Sequence, residues 1–119
     1  MGYRSDVVCI MYAKDEGAQP IVNEWVRQRI PEGTADCFHL GDDAATFKAN
    51  QWKWYDDMSP VKDLLAMFAE YRETFCTGQD DDGYVQEFAR VGEAVDDNEF
   101  ETYGYSDYRL HIQREISID

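Results

Sequence analysis

Carboxylates dominate the chemistry open to this sequence. Between Asp80 and Asp107 stand Asp80, Asp81, Asp82, Glu87, Glu93, Asp96, Asp97, Glu99, Glu101 and Asp107, with Arg90 as the only cation among them. Acids in such density either ligate hard cations or present a negative field to a basic partner. The calcium loop of an EF-hand needs acids at alternate positions ahead of its glycine and a glutamate at its end. With Gly83 as the loop glycine, Gly78 falls first and Ala89 last, so Asp80-Asp81-Asp82-Gly83 reads as a turn. The polyanion reading fits better. Acidic loops at the two ends of a strand of about eight residues spread over roughly 25 Å, at about 3.3 Å per residue. B-form DNA carries about one charge per 1.7 Å, so the row has the dimensions of a phosphate track that a basic groove would accept. The competing readings are a solvated face that serves solubility, an adaptation to high salt, and a metal-dependent hydrolase or nuclease built on clustered carboxylates.

Other chemistry lacks a constellation. His39 and His111 have no Cys, Ser or carboxylate at a diagnostic offset, and neither a P-loop nor a dinucleotide glycine fingerprint occurs. Cys9, Cys37 and Cys76 are odd in number, far apart and without C-x-x-C spacing, which supports neither a disulfide framework nor a zinc site. Three reduced thiols fit a cytoplasmic protein. No catalytic residue, metal or cofactor is expected. Trp52, Trp54 and Tyr55 could stack nucleobases, but only Lys48 and Lys53 lie nearby, so core or interface packing is favoured. Tyr103 and Tyr105, set among acids, have the amphipathic character of interface anchors.

Bulk properties point the same way. The 119 residues carry 25 acids against 11 lysines and arginines, a formal charge of −14. Affinity for nucleic acid comes largely from Lys and Arg, so direct binding to it is not expected. Anionic membranes are disfavoured by the same charge, and no apolar stretch approaches the length of a bilayer span. The opening residues form no secretory signal pattern.

The elements that must position the acids follow from periodicity. The apolar run Val7–Ala13 predicts a central strand. Pro20 in a first turn, with Ile21, Val22, Trp25, Val26 and Ile30, predicts a helix ended by Pro31 and Gly33. Residues 36–40 and 46–55 predict a hairpin, with Trp52 and Trp54 on one face and Lys53 on the other. Ser59 as N-cap and Pro60 at the first helical position introduce a second helix with the stripe Val61, Leu64, Leu65, Phe68, Tyr71 and Phe75, stopped at Gly78. Residues 84–91 predict a strand, an acidic loop follows, and residues 108–118 predict one last half-buried strand. The expected fold is α+β over residues 1–119 as one domain: a ferredoxin-like β-α-β-β-α-β with an additional C-terminal β-strand, its antiparallel sheet carrying two helices on one face.

The opening Met1-Gly2-Tyr3-Arg4-Ser5-Asp6-Val7, the central Trp52-Lys53-Trp54-Tyr55, and Phe88-Ala89-Arg90-Val91-Gly92-Glu93 with Asp96-Asp97 beyond it resemble small uncharacterised bacteriophage accessory proteins. The resemblance spans most of the chain through short motifs and implies no catalytic residue. It implies an inhibitor of host defence or metabolism, a class that includes anti-CRISPR proteins and acidic nucleic-acid mimics. On this reading the partner is a host protein with a basic surface in the host cytoplasm, engaged through the acids of residues 80–107 together with Tyr103 and Tyr105. A homodimer is an open possibility, because an edge strand or the aromatic groups could pair two copies.

Overall fold

The computed structural model describes residues 4–55, 57–76, 83–94, 97–104, 109–112 and 116–118. Strand β1 (Ser5–Ala13) is the apolar run of the opening segment, and it is buried along almost its whole length. Helix α1 (Gln19–Arg27) follows, then β2 (Phe38–Leu40), β3 (Ala45–Trp52), helix α2 (Val61–Phe75), β4 (Tyr84–Gly92), β5 (Asn98–Tyr103), β6 (Leu110–Ile112) and β7 (Ile116–Ile118). The first five strands form one antiparallel sheet in the order β2-β3-β1-β4-β5. Its first four members, with the two helices, are the ferredoxin-like arrangement, and β5 is the extra strand.

Because side chains alternate along a strand, β1 builds two cores at once. Val7, Cys9 and Met11 point to the helices, where Val22 and Val26 of α1 and Leu64, Met67, Phe68 and Tyr71 of α2 meet Phe47 and Phe88. Val8, Ile10 and Tyr12 point the other way, into a second cluster with Val85, Ala89 and Leu110, flanked by Ile112, Ile116 and Ile118. The helices are tied to the sheet by two buried glutamines. Gln19 Oε1 accepts from the Ala13 amide at 2.8 Å, and Gln86 Nε2 donates to the Phe68 carbonyl at 3.0 Å. Such bonds satisfy polar groups that would otherwise cost about 1–3 kcal/mol each on burial.

Three expectations need correction. Asn98–Tyr103 was expected as acidic loop and is β5. Its alternation of Glu99, Glu101 and Tyr103 with Phe100 and Thr102 suits a strand, and the connection closes through Gly92 N–H to the Asp97 carbonyl at 2.8 Å. The terminal run is two strands, not one: β6 and β7 pair with each other as a separate ribbon beneath the sheet. Leu110, Ile112, Ile116 and Ile118 do share one apolar side, as their spacing requires. Finally, Pro60 is the N-cap of α2 instead of its first residue, and Ser59 makes no backbone cap. Its hydroxyl instead lies 3.1 Å from an oxygen of Asp63.

Candidate functional site: a cleft between α2 and β5

The acids that the structure describes do not form one continuous row. Glu87 is fully buried, which removes it from any surface for a partner. Period-two alternation accounts for this, since Glu87 sits between Gln86 and Phe88 and turns to the face opposite theirs. There its carboxyl accepts from the Tyr12 hydroxyl at 2.6 Å and from the Leu110 amide at 2.9 Å, fastening the β6–β7 ribbon to the sheet. Glu93 accepts from the Arg4 amide at 2.8 Å. Asp80, Asp81, Asp82, Asp96, Tyr105 and Asp107 lie outside the described residues, as does Gly78.

Asp97, Glu99, Glu101 and Tyr103 are brought together on β5 and the turn before it. In the β4–β5 register Arg90 faces Glu99, Phe88 faces Glu101 and Gln86 faces Tyr103, all on the helix side of the sheet. The Arg90 guanidinium donates to Asp97 at 2.6 Å and to Glu99 at 2.9 Å, with only 12% of its side chain exposed. These hydrogen bonds, Asp97 foremost, raise its already high pKa and hold it charged. At the other end, the Arg72 guanidinium lies 4.5 Å from the centre of the Tyr103 ring, and it donates to Gln86 Oε1 at 2.9 Å. Tyr103 donates its hydroxyl to Glu101 at 2.7 Å, and that bond, with lesser burial, pushes the phenol pKa up.

Beside the Arg72 guanidinium, along Glu99, Glu101 and Tyr103 of β5, opens a cleft of about 210 Å³. Buried Phe68 and Phe88 and half-buried Trp54 supply its apolar lining, while Glu99, Glu101, Arg72 and Tyr103 supply its polar one. Trp54 stands 6.4 Å from Phe88, centre to centre. Its position depends on an irregularity in β3. Gln51 adopts φ 60°, and the pairing with β1 shifts between Ser5 and Val7, so the chain past Gln51 changes sides. Trp52 and Trp54 therefore pack against Phe47 at 6.0 and 6.1 Å, as core aromatics, instead of forming a stacking platform. Tyr55 and Met58 are left exposed beside Lys53 in a separate cleft of about 690 Å³.

Several site residues were not singled out from sequence. By sequence Trp54 belongs to an aromatic group, Phe68 to a helix stripe and Phe88 to a strand, none of them linked to the acids, and no pattern marks Arg72. The signal that would have joined them is the alternation of residues 98–103, which pairs them with residues 86–91.

Elsewhere the described acids are partly neutralised within the molecule: Glu24 pairs with Arg27, Glu70 with Arg29 at 2.7 Å, and Asp43 with Arg109 at 3.2 Å. Among the described residues, no group of three or more His, Cys, Asp and Glu could hold a metal ion. Cys9, Cys37 and Cys76 are free thiols, and burial drives the Cys9 pKa far up, which keeps it an unreactive thiol. Among the described residues, no helix is long and apolar enough to cross a membrane.

Against known proteins, no family model, no curated protein and no solved structure matches this chain.

Proposed function

We propose that this protein is a non-enzymatic acidic binding protein that covers a basic surface of a partner. In the setting that its resemblance to phage accessory proteins implies, the partner is a host factor in the host cytoplasm, and a nucleic-acid-binding defence complex is the kind of target that fits. The supporting observation is the arrangement of the helix side of β4 and β5, where carboxylates and aromatic rings sit in register and two guanidinium groups are already seated. A surface that takes guanidinium groups from its own chain has the chemistry to take them from another. The formal charge of −14 adds long-range attraction that speeds encounter with a basic surface. With Glu87 buried and Asp97 and Glu99 shared with Arg90, recognition rests on local seats for cations more than on a uniform imitation of phosphates.

A fluorescein-labelled nona-arginine peptide tests this reading by anisotropy at 20 and 300 mM NaCl. Binding that weakens at least about tenfold with the added salt supports it, because screening shortens the reach of exposed charges to about 6 Å at the higher concentration. Absence of binding at 20 mM NaCl rejects it.

A further inference from the structure

The helix side of the β4–β5 pair is a ladder of three rungs: Gln86 with Tyr103, Phe88 with Glu101, and Arg90 with Glu99. At the first rung, Arg72 stacks on the Tyr103 ring and is held by Gln86. The third has Arg90 clamped on Glu99 and Asp97. The middle rung offers an aromatic ring and a carboxylate, the two features that the flanking rungs use, yet no ion pair to Glu101 forms among the described residues. One carboxylate oxygen of Glu101 accepts from the Tyr103 hydroxyl, and Glu101 itself is exposed. The cleft of about 210 Å³ opens at this rung, with Trp54 at its side.

We infer that the middle rung, Phe88 with Glu101 beside Trp54, is a seat for a single arginine side chain supplied by the partner. The inference rests on the function proposed above and names what that surface grips. Arginine fits better than lysine for two reasons. A planar guanidinium stacks on Trp while donating edge-on to a carboxylate, whereas an ammonium is a compact, strongly hydrated point charge. Both neighbouring seats hold guanidinium groups. A cleft of this volume admits one long side chain and excludes a helix or a strand, so the partner must present an arginine that projects from its surface. Residues two apart on a strand are about 6.6 Å from each other, which spaces the middle rung from Arg90, whose charge Glu99 and Asp97 engage, while Arg72 lines the cleft from α2 and is held over the Tyr103 ring and on Gln86.

Amide and indole NMR shifts measured on titration with Nα-acetyl-arginine-N′-methylamide test the seat directly, with the lysine and the neutral citrulline derivatives as comparisons. Shifts concentrated at Phe88, Glu101 and the Trp54 indole N–H are expected for arginine, weaker ones for lysine, and none for citrulline. Glu101→Gln alters an exposed side chain and is expected to weaken arginine binding at least about fivefold, because it removes a charge-assisted bond. Glu32→Gln, an equal change of charge on an exposed acid in the α1–β2 connection, is expected to leave binding within about twofold. Shifts spread evenly over the acids, equal losses in the two variants, or equal responses to arginine and citrulline would each overturn the seat. If nona-arginine binds with the expected salt dependence while the Glu101 test fails, the seat is wrong and the binding function stands. If nona-arginine does not bind at all, the function itself falls.

Discussion

Glu87 illustrates how one carboxyl in an acidic stretch can be structural while others, such as Glu99 and Glu101, are exposed. The hydrogen bonds that Glu87 accepts from the Tyr12 hydroxyl and the Leu110 amide are both buried. Tyr12→Phe removes one of them and leaves the carboxyl less satisfied in a site without access to water. The expected cost is about 1–3 kcal/mol in urea denaturation, whereas a change at exposed Glu101 stays within about 0.5 kcal/mol. A loss below about 0.5 kcal/mol for Tyr12→Phe would show that the bond contributes little to stability. Sequence alone could not separate these acids. Both belong to one dense run, and the difference lies in which face each strand residue occupies, a matter that only the register of β4 against β1 and β5 decides. The same holds for Trp54, whose placement follows from the left-handed conformation at Gln51, a residue type that does not announce it.

Among the elements, the β6–β7 ribbon has the least local support, with three residues in each strand and its apolar side turned to the sheet. Its attachment therefore rests on packing more than on its own ladder. Leu110→Ala is expected to cost about 2–5 kcal/mol, because the residue is buried among Val8, Ile10 and Val85. The same change is expected to raise binding of an environment-sensitive dye such as ANS, as the lower sheet face opens to water. Unchanged stability and dye fluorescence would mean that the ribbon does not hold that face closed. Much of the helical half is legible in the sequence, since α1, α2 and β1 bury most of the residues that their spacing marks, with Ile21 an exposed exception. The ribbon and β5 are not. A three-residue strand falls below the length at which alternation can be recognised, and β5 carries Glu99 and Glu101 directly after an acidic turn, which composition reads as a solvated loop.

Charge acts on the molecule as a whole. Four of its described arginines already pair with acids, namely Arg27, Arg29, Arg90 and Arg109, which leaves a large excess of carboxylates to repel one another. Raising NaCl from 20 to 500 mM is therefore expected to increase the melting temperature in scanning calorimetry, while the same salt weakens binding to nona-arginine. These opposite signs separate self-repulsion from recognition. A melting temperature that falls with salt would assign the ion pairs more weight than the repulsion. Strand β4 joins these effects, since its nine residues contribute alternately to the two sides of the sheet. Gln86, Phe88 and Arg90 face the helix side, where Phe88 lines the cleft, and Val85, Glu87 and Ala89 carry the ribbon below. An engineer who reshapes the upper wall thus works on the joist from which the floor beneath hangs, and the two storeys of this small building cannot be remodelled one at a time.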